Sequence, residues 1–257
     1  MSTREKIQRW QNDRTLAHVV PLAVFMLFLM PFMFFDGAKW FRWEHPSAPW
    51  WQQWPEQWLY PLQSFVGLAL LIFFRKHYEL KWSKSVWFGA LMGAVGIGFW
   101  LLPTTLYDWL GIDGKPEGVL KYLGVMPRTE GFDPGVFDSP AAYWASLILR
   151  FFRAVVIVSL VEEIFWRGFL MRFLLDRDGD YWKIPFGQPA WISYLVTTGA
   201  FMLAHAPVDY LGAFIYGSLT YFVAVRTKSL MACVVMHGVA NLLMGCYALA
   251  YAKYGLW

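Results

Sequence analysis

The sequence predicts an all-α fold, a polytopic membrane helical bundle of about seven to eight transmembrane helices. Three observations carry that prediction. Of 257 residues, 58% are hydrophobic and only 16% are charged, against roughly 25% charged in a soluble domain. The apolar residues fall in runs long enough to cross about 30 Å of hydrocarbon. With no barrel signature among those runs, helices are the structures that satisfy their own backbone there.

The runs occupy residues 17–35, 58–74, 85–110, 141–175, 190–206, 208–225 and 230–251. The first has an apolar core too long for a secretory signal, and no small-residue cleavage site follows, so it reads as a signal anchor. The Trp-rich stretch at 39–58 fits an outer interface, where indoles are favoured. The second, fifth and sixth runs are marginal in length at 1.5 Å of rise per residue. The fourth is longer than one crossing requires and is expected to continue into an interfacial helix. Basic residues divide 13 against 6 between alternate loops, Lys115 and Lys121 counting on the sparser side. That asymmetry places the N-terminus inside and the C-terminus outside. The segment 1–140 is expected to supply anchoring helices and an extracytoplasmic loop, and 141–257 the helical core that carries chemistry.

Several function classes are excluded. The net charge of +4 sits at span ends rather than in one patch, so no nucleic-acid partner is expected. Cys233 and Cys246 share one apolar run and show neither metal spacing nor a disulfide framework. Phosphate-binding loops, H-E-x-x-H, G-x-S-x-G and repeats of 20–50 residues are missing from the sequence. Inverted repeats and broken half-helices, the usual signs of a transporter, are not evident either.

Ionisable groups inside spans cost about 2.5–3.5 kcal/mol each on insertion scales and mark function. The first three runs carry almost none. The last four hold Arg150, Arg153, Glu162, Glu163, Arg167, His205, His237 and the polar Asn241. Glu163 and Arg167 are four apart and share a helix face, so they can pair. Glu162 is rotated about 140° from Arg167 on a regular helix, which leaves its carboxylate free. A free carboxylate in a low-dielectric site suits general acid–base work. An ion-pair network that only holds helices together is the competing reading. His237 and Asn241 again share a face, and Phe201 lies one turn before His205. If the cytoplasmic ends lie near Phe173, Ser193 and Ser229, then Glu162, His205 and His237 sit roughly 16, 18 and 12 Å deep.

The order E-E-x-x-x-R (Glu162 to Arg167), F-x-x-x-H (Phe201 to His205) and H-x-x-x-N (His237 to Asn241) on successive late helices resembles the CPBP family of intramembrane proteases. That family includes the CAAX prenyl endopeptidases and bacteriocin-processing homologues. A weaker likeness, including the ending "YGLW", extends towards the CAAX-protease-related proteins of bacterial exosortase systems. The resemblance implies an intramembrane endopeptidase that is glutamate-dependent and needs no cofactor. Glu162 with His205 would activate water, His237 and Asn241 would hold the oxyanion, and Glu163, Arg167 and Phe201 would support them. It further implies a membrane-anchored protein or peptide as substrate, an exosortase-type sorting system as partner, and a bacterial cytoplasmic membrane as location. Zinc held by the same Glu/His cluster is the alternative, and it needs three ligands at about 2.0–2.2 Å. A non-catalytic immunity or peptide-binding protein using the same cavity is the other reading.

Overall fold

The computed structural model of the chain describes residues 2–114 and 116–257; Lys115, counted in the outer loop above, lies outside the described residues. All regular structure among the described residues is helical. The apolar helices, in chain order, are α1 Arg14–Phe35, α2 Glu56–His77, α3 Ser85–Trp109, α4 Pro140–Phe173, α5 Trp191–Leu203, α6 Pro207–Thr227 and α7 Leu230–Ala250. Six are long and apolar enough to cross a membrane, and α5, with 13 residues, is the exception. At 1.5 Å per residue α5 reaches about 20 Å. Its expected extension to residue 206 is cut short by Pro207, which pushes the preceding residue out of the helical region.

Sequence chemistry sets the helix limits. Helix α1 starts at Arg14 because the Asp13 carboxylate accepts a hydrogen bond from the Leu16 amide at 3.0 Å and caps it. Trp40, Trp50 and Trp51 stay exposed in the segment between α1 and α2, as interfacial indoles do. Helix α4 runs unbroken from Pro140 to Phe173, but it opens into wide π turns at Phe152–Val158 and Ile164–Leu170. Such turns are rare and concentrate at functional sites.

The chain forms two compact units, Met1–Tyr78 with Phe137–Glu162, and Glu79–Val136 with Glu163–Trp257. In the first, the buried Gln63 amide donates to the Phe25 carbonyl at 2.7 Å and accepts from Arg153 Nε at 2.7 Å. The Arg153 guanidinium also lies 4.0 Å over the Tyr60 ring. A charge placed in a span is thus satisfied by an amide and an aromatic face. Tyr78 donates to the Ala17 carbonyl at 2.8 Å, and its burial pushes the phenol pKa up.

Close backbone approach organises the second unit. A Cβ at Gly89 or Gly93 would run into the carbonyl of Ala232 or Met236. These paired approaches set α3 and α7 parallel and in contact, the role small residues play where helices pack without a hydrophobic drive. Gly96 lies under Tyr216 and Gly212 under Trp100, so α6 runs against α3. Ala190 bonds Tyr221 through both its amide and its carbonyl, at 2.9 and 3.0 Å. Gly217 lies against Thr198 and Phe201, so α5 runs against α6. Ser193 donates to the Met171 carbonyl at 3.2 Å, which sets the start of α5 beside the end of α4. The starts of α3, α5 and α7 and the ends of α4 and α6 therefore share one end of this unit. The loop 110–136 and the segment 251–257 lie at the other.

Candidate active site

The site grows from the buried turn of α4. Glu163 and Arg167 are both fully buried and form an ion pair, with Arg167 Nε 3.4 Å from Glu163 Oε2. Arg167 Nη2 also donates to the Gly217 carbonyl at 3.4 Å, and the guanidinium lies 5.1 Å over the Phe201 ring. The four-residue spacing thus brings the pair together as expected, although Arg167 stands in a π turn rather than on a regular helix. The Glu163 carboxylate has a second partner. His237 Nδ1 lies 2.9 Å from Glu163 Oε1, which joins α4 to α7 at the heart of the second unit. A carboxylate so placed accepts from Nδ1–H and leaves Nε2 as the working nitrogen, the orienting logic of catalytic histidines.

His205 sits just past the end of α5. Its Nδ1 is 2.8 Å from the Phe201 carbonyl, and a carbonyl can only accept, so Nδ1 carries the proton. Its Nε2 is then the ring nitrogen able to take a proton from a neighbour. Rings hold this imidazole from two sides, Phe201 at 4.5 Å and Trp100 at 5.3 Å between centroids.

One cavity of about 110 Å³ gathers these groups. Phe201, His205, His237 and Asn241 line it together with Trp100, Tyr216, Asp209 and the apolar Ile97, Ala240, Met244 and Leu256. Space for one water needs about 10–15 Å³ by this measure, so the cavity admits several waters or a small group. Glu162 belongs to the first unit, where it is half-buried and within electrostatic reach of Arg153. Among the described residues no group of three or more His, Cys, Asp or Glu is placed to hold a metal ion.

With this arrangement in view, comparison with known proteins is specific. Residues 144–243 match the family described as type II CAAX prenyl endopeptidase Rce1-like. That segment is similar to this protease family. The match covers the E-E-x-x-x-R, F-x-x-x-H and H-x-x-x-N positions, and it bears out the resemblance read from them. No curated protein and no solved structure matches the chain. The likeness to a membrane protease family agrees with the six helices long and apolar enough to cross a membrane.

A cavity carboxylate, Asp209, and the arginine that holds it were missed from sequence. Asp209 lies four residues after His205 in an apolar run, so the argument applied to the other intramembrane charges would have found it. Its partner Arg128 bonds it through both guanidinium arms, at 2.7 and 3.2 Å. Arg128 sits in a long loop, and no local signal tied it to the site.

Proposed function

We propose that this chain is an intramembrane endopeptidase that cuts near the C-terminus of membrane-anchored proteins, using activated water. The observation that carries the reading is the shared cavity. Two histidines, each with Nδ1 engaged and Nε2 left available, line it with a carboxamide, and it is large enough for water. His205 Nε2 takes the proton of an attacking water, as a general base does. The nucleophile adds to the scissile carbonyl and the electron pair moves to oxygen. Asn241 and His237 stabilise that oxyanion. His205 then returns the proton to the leaving amine as the C–N bond breaks. Glu163 holds His237, and Arg167 balances the charge of Glu163. Glu162, the first carboxylate of the E-E-x-x-x-R pattern, is proposed to share in water activation. The substrate class is a membrane-anchored protein or peptide, the setting an exosortase-type sorting system, and the location a bacterial cytoplasmic membrane with the N-terminus inside.

A cleavage assay in liposomes on a panel of tail-anchored substrates tests this. Glu162→Gln and His205→Ala should abolish turnover. Asn241→Ala should lower it by roughly 10²–10³, the usual effect of one oxyanion donor. Chelator should leave wild-type turnover intact; loss with chelator and recovery with zinc overturns the metal-free mechanism. Equal cleavage by wild type and Glu162→Gln removes Glu162 from the mechanism. Tight binding without cleavage of any substrate favours a peptide-binding protein.

A further inference from the structure

The segment after α7 takes no part in the proposed chemistry, yet it reaches the cavity and is held there by several independent contacts. Ala252 turns the chain back with φ of 50°, and Arg128 in the facing loop has φ of 53°. Side-chain-bearing residues rarely adopt that region and do so only where the surroundings enforce it. Lys253 Nζ donates to Asp108 Oδ1 at 2.7 Å and to the Pro127 carbonyl at 2.9 Å. The Gly255 amide donates to the Arg128 carbonyl at 3.0 Å. The Arg128 guanidinium returns two bonds to the Gly255 carbonyl, from Nη2 at 2.7 Å and Nε at 3.2 Å. The other edge of the same guanidinium grips Asp209, itself a cavity residue. Gly131 has no room for a Cβ because the Tyr254 backbone lies against it. Leu256, 7% exposed, ends this path on the cavity wall.

One residue thus has its amide and its carbonyl both bound by a single partner, the way main-chain hydrogen bonds fix a peptide in register. The neighbouring aliphatic side chain enters the cavity that holds His205 and Asn241. We infer that Lys253–Leu256 is an intramolecular plug: Leu256 fills the apolar end of the cavity, and Arg128, clamped between Gly255 and Asp209, is its latch. Building on the proposed proteolytic reading, a substrate peptide enters where the plug leaves, and the resting enzyme is self-inhibited.

The test reads cavity access separately from cleavage. Met244→Cys places a thiol on the cavity wall, with Cys246→Ser removing the exposed native thiol. Its alkylation by a water-soluble maleimide is timed in detergent, alone and combined with Leu256→Ala, Arg128→Gln or the surface control Lys183→Gln. Leu256→Ala and Arg128→Gln should each speed alkylation about tenfold by raising the open population, and Lys183→Gln should leave it unchanged. If Arg128→Gln fails to fold, the milder Leu256→Ala decides. Equal rates for the parent and Leu256→Ala overturn the plug. Faster alkylation with faster cleavage of a quenched fluorescent peptide supports plug and protease together. Faster alkylation with no peptide cut supports the plug and counts against the protease reading.

Discussion

Glu163 is enclosed on every side, with Arg167 one turn along its own helix and His237 across on α7. Burial of a carboxylate is tolerable only with such partners. Replacing it by glutamine leaves Arg167 buried without its counter-charge, which typically costs about 3–5 kcal/mol. Glu163→Gln should therefore lower folded yield and thermal stability sharply, as read by size exclusion and differential scanning fluorimetry in detergent. Glu162→Gln, at a half-buried position, should leave both nearly unchanged. Equal losses from the two variants would show that the adjacent carboxylates have been divided wrongly. The pairing of Glu163 with Arg167 was legible because four-residue spacing survives on almost any helix. The bond from Glu163 to His237 was not, because it joins residues 74 apart in the chain and no local pattern specifies it. A rotation of about 140° between Glu162 and Arg167 holds on a regular helix, whereas Arg167 lies in a π turn, where the angle per residue differs.

At the scale of elements, α3 shows how glycine can be essential inside a helix. Exchanging glycine for alanine in an exposed helix interior ordinarily gains about 0.5–1 kcal/mol. Gly98, where a Cβ would meet nothing within 4 Å, should follow that rule. Gly93 should reverse it, because its Cβ would meet the backbone of Met236, which cannot rotate away. Overpacking of this kind costs about 1–3 kcal/mol, and it would also shift the start of the turn that carries His237. Thermal unfolding of Gly93→Ala and Gly98→Ala should move in opposite directions, with a loss of activity for Gly93→Ala only. A gain of stability in both would remove the close α3–α7 approach as a determinant of the fold. The small-residue spacing of Gly89 and Gly93 was present in the sequence, but without a partner surface it did not reveal which helix it meets. The existence of the seven apolar helices was legible from apolar run length, whereas the polar helix Thr3–Asn12 left no such signal and the shortness of α5 depended on how Pro207 and His205 turn.

For the whole molecule, α5 decides the topology. Helix α5 spans only about 20 Å, so length alone leaves open whether it counts as a crossing. Packing within the second unit supplies the missing argument. Gly89 meets Ala232 and Gly93 meets Met236, so α3 and α7 are parallel and begin at one end. Between those two starts the chain passes through α3, α4, α5 and α6. An even number of passages returns it to the same side, and the count is even only if α5 is a passage. Charge agrees with this arrangement. Lys81, Lys84, Arg172, Arg177, Lys183, Arg226 and Lys228 gather at the shared end, while Lys121, Arg128 and Lys253 occupy the other. The positive-inside rule predicts that the richer end faces the cytoplasm. Reporter fusions after Lys84, Lys183 and Lys228 should therefore all report the cytoplasm, and fusions after Lys121 and Lys253 the opposite compartment. A fusion after Lys228 on the same side as one after Lys121 would mean that α5 does not cross. In that case α7 could not lie parallel to α3, and the cavity joining His205 to Asn241 would have to be built differently.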